Sequence, residues 1–182
     1  MYCNGQGTGE KISPEQMAVF KTRAVSVVAD LNRHIAVMID KSDGSSGGIQ
    51  RRKTAVELAL LLFTSDTSIV EVSSLRSPKK KRLAIRKYLN NIQLLAYKRV
   101  EITWYGIYLS SDFIERNGKY YGTATITQKF EGTSNIELGK YVDITTKNIQ
   151  VVVEQVEEFK GISSNKRWVL RLGDITVDET RD

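Results

Sequence analysis

The order of apolar and polar positions divides the chain near residue 98. Before it, apolar residues recur at intervals of three and four. Met17, Phe20, Ala24, Val27, Val28, Leu31, Ile35 and Met38 form one stripe that runs out near Lys41, the pattern of a long helix lying on a core. Ser13-Pro14-Glu15-Gln16 supplies its start: a hydroxyl cap, a proline in the first turn, and a glutamine placed to close a capping box. Residues 42–48, SDGSSGG, interrupt the periodicity as a flexible connection, and residues 49–63 resume it as a second, more apolar helix. The β-branched residues in 68–73 predict a short strand. Ser77-Pro78 then repeats the cap-and-proline device, and a third helix is expected from there. Its apolar face is Ala84, Ile85, Tyr88, Leu89, Ile92 and Leu95, with Lys79, Lys80, Arg82, Arg86 and Lys87 opposite.

Beyond Lys98 the period changes to two. Val100, Ile102 and Trp104 alternate with polar residues, after which Tyr105, Ile107 and Leu109 take the opposite parity. One extra residue in a strand swaps its faces, so a β-bulge is expected near Tyr105-Gly106. Asn117-Gly118 signals a hairpin, and Ala124, Ile126 and Phe130 alternate with Thr123, Thr125, Thr127 and Lys129 after it. Residues 141–156 read as a further strand. Ser163-Ser164-Asn165 reads as a turn into a last strand through Trp168, Leu170 and Leu172, whose parity changes between Gly173 and Ile175. The second half is therefore a meander of long, bent antiparallel strands. The fold class that follows is α+β: three N-terminal helices packed on a strongly curved, mainly antiparallel, cone-like sheet.

The run LLFTSDTSIVEV at residues 61–72, then Ser77-Pro78-KKKRLAIRKYLNNI, then the meander, resembles the nuclear transport factor 2-like (cystatin-like cone) superfamily. The resemblance covers about residues 13–178. It implies a pocket between the first helix and the concave face of the sheet, and frequent dimerisation through that sheet. It implies no single activity, because the fold hosts enzymes, transport factors and interaction domains. Members similar to ketosteroid isomerase, scytalone dehydratase or polyketide cyclases use a buried Asp, often with His or Tyr. Asp66, in the turn before the short strand, and His34, beside the apolar stripe of the first helix, are the residues here that such chemistry would use. Both have plainer readings, turn chemistry for Asp66 and a satisfied structural imidazole for His34. Trp104, Tyr105 and Tyr108 are candidates to line the pocket, or else ordinary fillers of a half-buried sheet.

Composition narrows the classes. The chain has 182 residues and a net charge of +6. At that length one core removes about 70% of the unfolded surface from water. One domain at 13–178 is thus expected, flanked by tails at 1–12 and 179–182. A single cysteine, Cys3, and a single histidine exclude internal disulfides and the usual structural zinc sites. The glycines at 5, 7 and 9 fall short of a phosphate-loop fingerprint, so no cofactor is expected. The longest apolar run, residues 58–63, is far below the ~18 residues of a membrane span. Cys3 and its polar, glycine-rich sequel are what a trimmed leader leaves, and export to a compartment such as the periplasm is expected ahead of a cytoplasmic site.

Charge is localised. Residues 75–100 hold nine cations and no acid, and the remainder sums to −3. In a helix beginning at Ser77, each exposed cation of the first turn would oppose the macrodipole by ~0.3–1 kcal/mol. That placement suggests an anion site built from Arg76, Lys79, Lys80, Lys81, Arg82, Arg86 and Lys87 for phosphate, nucleic acid or an acidic partner, or else a solvated face. Few aromatic residues stand near it to stack on bases. The Thr- and Val-rich strands also suit a homodimer through the sheet, with Glu154, Glu157 and Glu158 meeting the basic helix of another copy or guarding a strand end. The expected function is a non-catalytic ligand- or partner-binding domain. The alternatives are an isomerase, dehydratase or cyclase working in the cone, and anion or nucleic-acid binding through the third helix.

Overall fold

A computed structural model describes residues 11–134, 139–160 and 163–182. Cys3 and the glycines at 5, 7 and 9 lie outside them. The long apolar stripe forms α1 (Pro14–Ile39) and buries Ala24, Val28, Leu31, Ile35 and Met38. Its start is the predicted box: Ser13 Oγ accepts the Gln16 N–H at 3.2 Å, and Gln16 Oε1 accepts the Ser13 N–H at 2.9 Å. α2 (Ser46–Leu60) begins three residues earlier than the periodicity predicts, because Ser45 Oγ caps the Gly48 N–H at 3.2 Å. Past its end the chain is tied to the last strand, Thr64 N–H bonding Leu172 O at 2.8 Å and Leu172 N–H bonding Leu62 O at 2.7 Å.

Six strands follow: β1 (Ile69–Ser74), β2 (Ser77–Ala84), β3 (Arg99–Arg116), β4 (Lys119–Thr133), β5 (Lys140–Lys160) and β6 (Ser163–Arg181), with α3 (Ile85–Gln93) between β2 and β3. Their order across the sheet is β2-β1-β6-β5-β4-β3. All neighbours are antiparallel except β1 and β6. The result is the expected α+β layer fold, three helices on a bent, mixed sheet with one core between them. The register pair that joins β1 to β6, Val70 with Ile175, is supplemented by carboxylates. Asp174 Oδ1 accepts the Ile69 N–H at 2.7 Å, and Glu71 Oε2 accepts the Val177 N–H at 3.1 Å.

The predicted helix start at Ser77-Pro78 is not one. Residues 77–84 are extended and pair with β1 around a two-residue turn at Leu75-Arg76. Two physical reasons are visible. Residues 77–82 contain no side chain for an apolar helical face, and a helix there would set its cations against the macrodipole. In strand form neither cost arises, and β2 gains a ladder with β1. α3 starts only where the apolar periodicity starts. Its cap residue Ala84 offers no side-chain bond, so its first N–H groups use the preceding turn: Ile85 N–H to Ser68 O at 2.7 Å and Arg86 N–H to Asp66 O at 3.3 Å.

The bends are where parity changed. Register between β3 and β4 shifts between Tyr105 and Tyr108, with Gly106 at φ +63°, a conformation that glycine adopts without a Cβ penalty. β6 likewise bulges between Leu172 and Ile175, and Asn117-Gly118 makes the β3–β4 hairpin with both residues at positive φ. Two boundaries differ from expectation. Ser163 and Ser164 are already paired with β5, and residues 179–181, expected as a tail, continue β6 against residues 144–146. No helix among the described residues is long and apolar enough to cross a membrane.

Candidate functional site

Alternation decides which side chains of β5 reach the concave face. Ile149, Val151 and Val153 are buried under the helices, so Tyr141, Asp143, Thr145 and Lys147 point the same way. The inner row of β5 is thus apolar along one half and polar along the other. β4 adds Gln128 and Phe130 from its inner row, and β3 adds Ile102 and Trp104. Of these residues Tyr141, Asp143, Lys147, Gln128, Phe130 and Ile102, with Ile92 of α3, Leu95, Tyr97 and the β1–β2 hairpin, line a pocket of about 230 Å³. Gly132 keeps it compact: a Cβ there would meet the Tyr97 ring at 2.8 Å.

Two hydrogen-bonded chains cross the pocket. Gln128 Oε1 accepts from Trp104 Nε1 and from Lys147 Nζ, each at 3.0 Å, which fixes the carboxamide. On the other side Tyr141 Oη donates to Asp143 Oδ2 at 2.6 Å and accepts the Leu75 N–H at 3.0 Å, joining the β1–β2 turn to the floor. Lys147 is 3% exposed, and its Nζ lies 5.7 Å from the centre of the Tyr88 ring. Burial pushes its pKa down to about 8, against the opposing pull of the Asp143 charge. Burial raises the pKa of Asp143, opposed by the Tyr141 hydrogen bond and the Lys147 charge. Burial, then the bond to Asp143, raises that of Tyr141. At the rim the Arg76 guanidinium stacks 4.7 Å from the centre of the Tyr141 ring.

The site predicted from sequence is only partly this one. Trp104 is buried behind Gln128, to which it donates, and is not among the residues that line the pocket. Tyr105 and Tyr108 pair with Thr127 and Thr125 on the outer face and are 43% and 54% exposed, so they do not line the pocket. Tyr105 faces outward by alternation with the buried Trp104, and the extra residue of the bulge after it keeps Tyr108 outward too. Asp66 is exposed; its carbonyl caps α3 and its Oδ2 pairs with Arg86 Nε at 3.1 Å. His34 is half-buried on α1, outside the pocket lining, and its pKa is lowered by burial and by Arg33.

The seven cations do not converge either. Arg76 to Arg82 lie on the edge strand β2 and its turn, and Lys80 Nζ donates to Val177 O. Arg86 is paired with Glu57 and Asp66, and of the seven Arg76 alone lines the pocket. The acidic strand end is matched within the chain: Glu154 with Lys119 and Arg171, Glu157 with Lys166, Glu158 with Arg167.

Sequence reasoning did not single out Tyr141, Asp143, Lys147 or Gln128. The signal was present: stepping back by two from Ile149 puts Lys147, Thr145 and Asp143 at core positions of a strand, where a polar side chain needs a reason. Among the described residues no group of three or more His, Cys, Asp or Glu could hold a metal.

No family model and no curated protein matches the chain. It is similar in structure to a provisionally assigned scytalone dehydratase from Novosphingobium aromaticivorans, at 13% identity over 92% of this chain and 91% of that one, with a TM-score of 0.47.

Proposed function

We propose that the chain is a nuclear transport factor 2-like domain whose concave pocket binds a compact molecule with an apolar body and one carbonyl or carboxylate group. The order of elements, helices first and a bent meander after them, supports the family reading. The observation that carries the binding reading is Lys147, a buried amine in a pocket whose lining is apolar at Val72, Ile92, Leu95, Ile102 and Phe130 and polar at Gln128, Tyr141 and Asp143. A buried amine without a contacting carboxylate lowers stability, and such groups persist where function needs them. Its donors suit an anionic or carbonyl oxygen, and the walls suit a ring or short chain.

Titration with benzoate, followed through backbone amide NMR shifts, tests this reading. Shifts are expected on Tyr97, Gln128, Thr145 and Lys147, with affinity falling about tenfold in Lys147→Met, the loss of one charge-assisted hydrogen bond. Shifts confined to other surfaces, or equal affinity in the variant, would overturn it.

A second reading, proton-transfer catalysis in the same pocket, is favoured by one observation: burial moves Lys147 and Asp143 in opposite directions, each toward its neutral form. The anion-site reading has lost its helix start, since the cations that carried it lie along a sheet edge.

A further inference from the structure

We propose that Lys147 is a nucleophilic amine that captures a small aldehyde or ketone covalently, as an imine, inside the concave pocket. The proposal rests on the reading of that pocket as a ligand site and names the ligand class.

Three features carry it. Lys147 is one of the residues that line the pocket, and its Nζ is held by one acceptor, Gln128 Oε1, itself fixed by Trp104. An amine that donates one N–H to Gln128 keeps its lone pair for another direction. No ion pair within contact distance ties it up among the described residues, although Asp143 stands on the same inner row of β5. Finally, its surroundings are buried, including the Tyr88 ring beneath it, so that the neutral, nucleophilic form is populated near neutral pH.

The chemistry balances without an oxidant or reductant. The Nζ lone pair forms a bond to the carbonyl carbon while the C=O π pair moves onto oxygen. That oxygen takes up a proton as nitrogen gives one up, leaving a carbinolamine. A second proton on the same oxygen lets it depart as water, and the nitrogen lone pair closes the C=N bond. Amine, carbonyl and one proton thus become a protonated imine and water, and loss of that proton from nitrogen leaves the imine. Asp143, whose carboxyl pKa burial raises above its ordinary range, stands on that row as the group that can pass a proton to the departing oxygen. The cation formed on nitrogen lies over the Tyr88 ring and near Asp143, both of which favour it.

The test is reductive trapping of the full chain with benzaldehyde and cyanoborohydride near the pKa of about 8 of Lys147, read by intact mass and peptide mapping. There about half of this amine is neutral, against less than about 1% of an ordinary lysine. One benzyl adduct is expected on the peptide spanning Lys147, forming about tenfold faster than on any exposed lysine of β2, slowed by benzoate and lost in Lys147→Met. Labelling spread over exposed lysines, with Lys147 no faster than they are, overturns the proposal. If benzoate still perturbs the pocket amides in that case, the binding reading stands and only covalent capture falls. If it does not, both fall.

Discussion

At the scale of single residues, Lys147 is the side chain that the fold holds at a cost. Its folded pKa of about 8 lies below its ordinary 10.5, so between those values the unfolded chain binds the extra proton. Stability therefore rises with pH across that window, and the full penalty, about 3 kcal/mol at 1.36 kcal/mol per unit, is present below it. Lys147→Met is expected to remove this penalty while Trp104 keeps Gln128 Oε1 bonded. Urea unfolding should show the variant more stable than the parent at neutral pH, by up to about 3 kcal/mol, with the gap closing as pH rises toward 10.5. A variant less stable at neutral pH would mean that the amine contributes to the core instead of straining it. Asp66 shows the opposite case. Its type and place attracted a catalytic reading, yet its carbonyl and carboxylate serve Arg86 at the protein surface.

At the scale of elements, β2 shows how charge can select a backbone conformation. A proline after serine is equally at home opening a helix and in an edge strand, so the local motif left both open. The burden of cations decides against the helix, and the same cations are useful on an edge, where they discourage pairing with another chain. Changing Lys79 and Lys81 together to valine is expected to leave the fold intact and to promote concentration-dependent association, measured by light scattering at rising protein concentration. Association no stronger than the parent's would show that the charges have no guarding role. The bulges at Gly106 and at 172–175 were legible because a parity change in a strand has one geometric meaning. The cap of α3 was not legible, because it is made by carbonyls of Asp66 and Ser68, groups that every residue carries.

At the scale of the molecule, β5 and β6 occupy the middle of the sheet, and β2 and β3 its edges. Amide hydrogen exchange should be slowest at residues 149–153 of β5, which are flanked on both sides and covered by helices. It should be fastest in the β1–β2 hairpin, which carries Arg76 to the pocket rim. Uniform protection across the sheet would contradict this ranking.

The sequence by itself determined the class of fold, the long capped helix, the hairpin at Asn117-Gly118 and the places where strands bend. Each of these rests on local rules of periodicity, capping or backbone conformation. Only the tertiary structure decided that residues 77–84 form a strand, that Tyr105 and Tyr108 face outward, and that Lys147, Gln128, Asp143 and Tyr141 share one pocket. Those outcomes depend on register between strands and on which face a helix covers, and both are set by contacts among residues far apart in the chain.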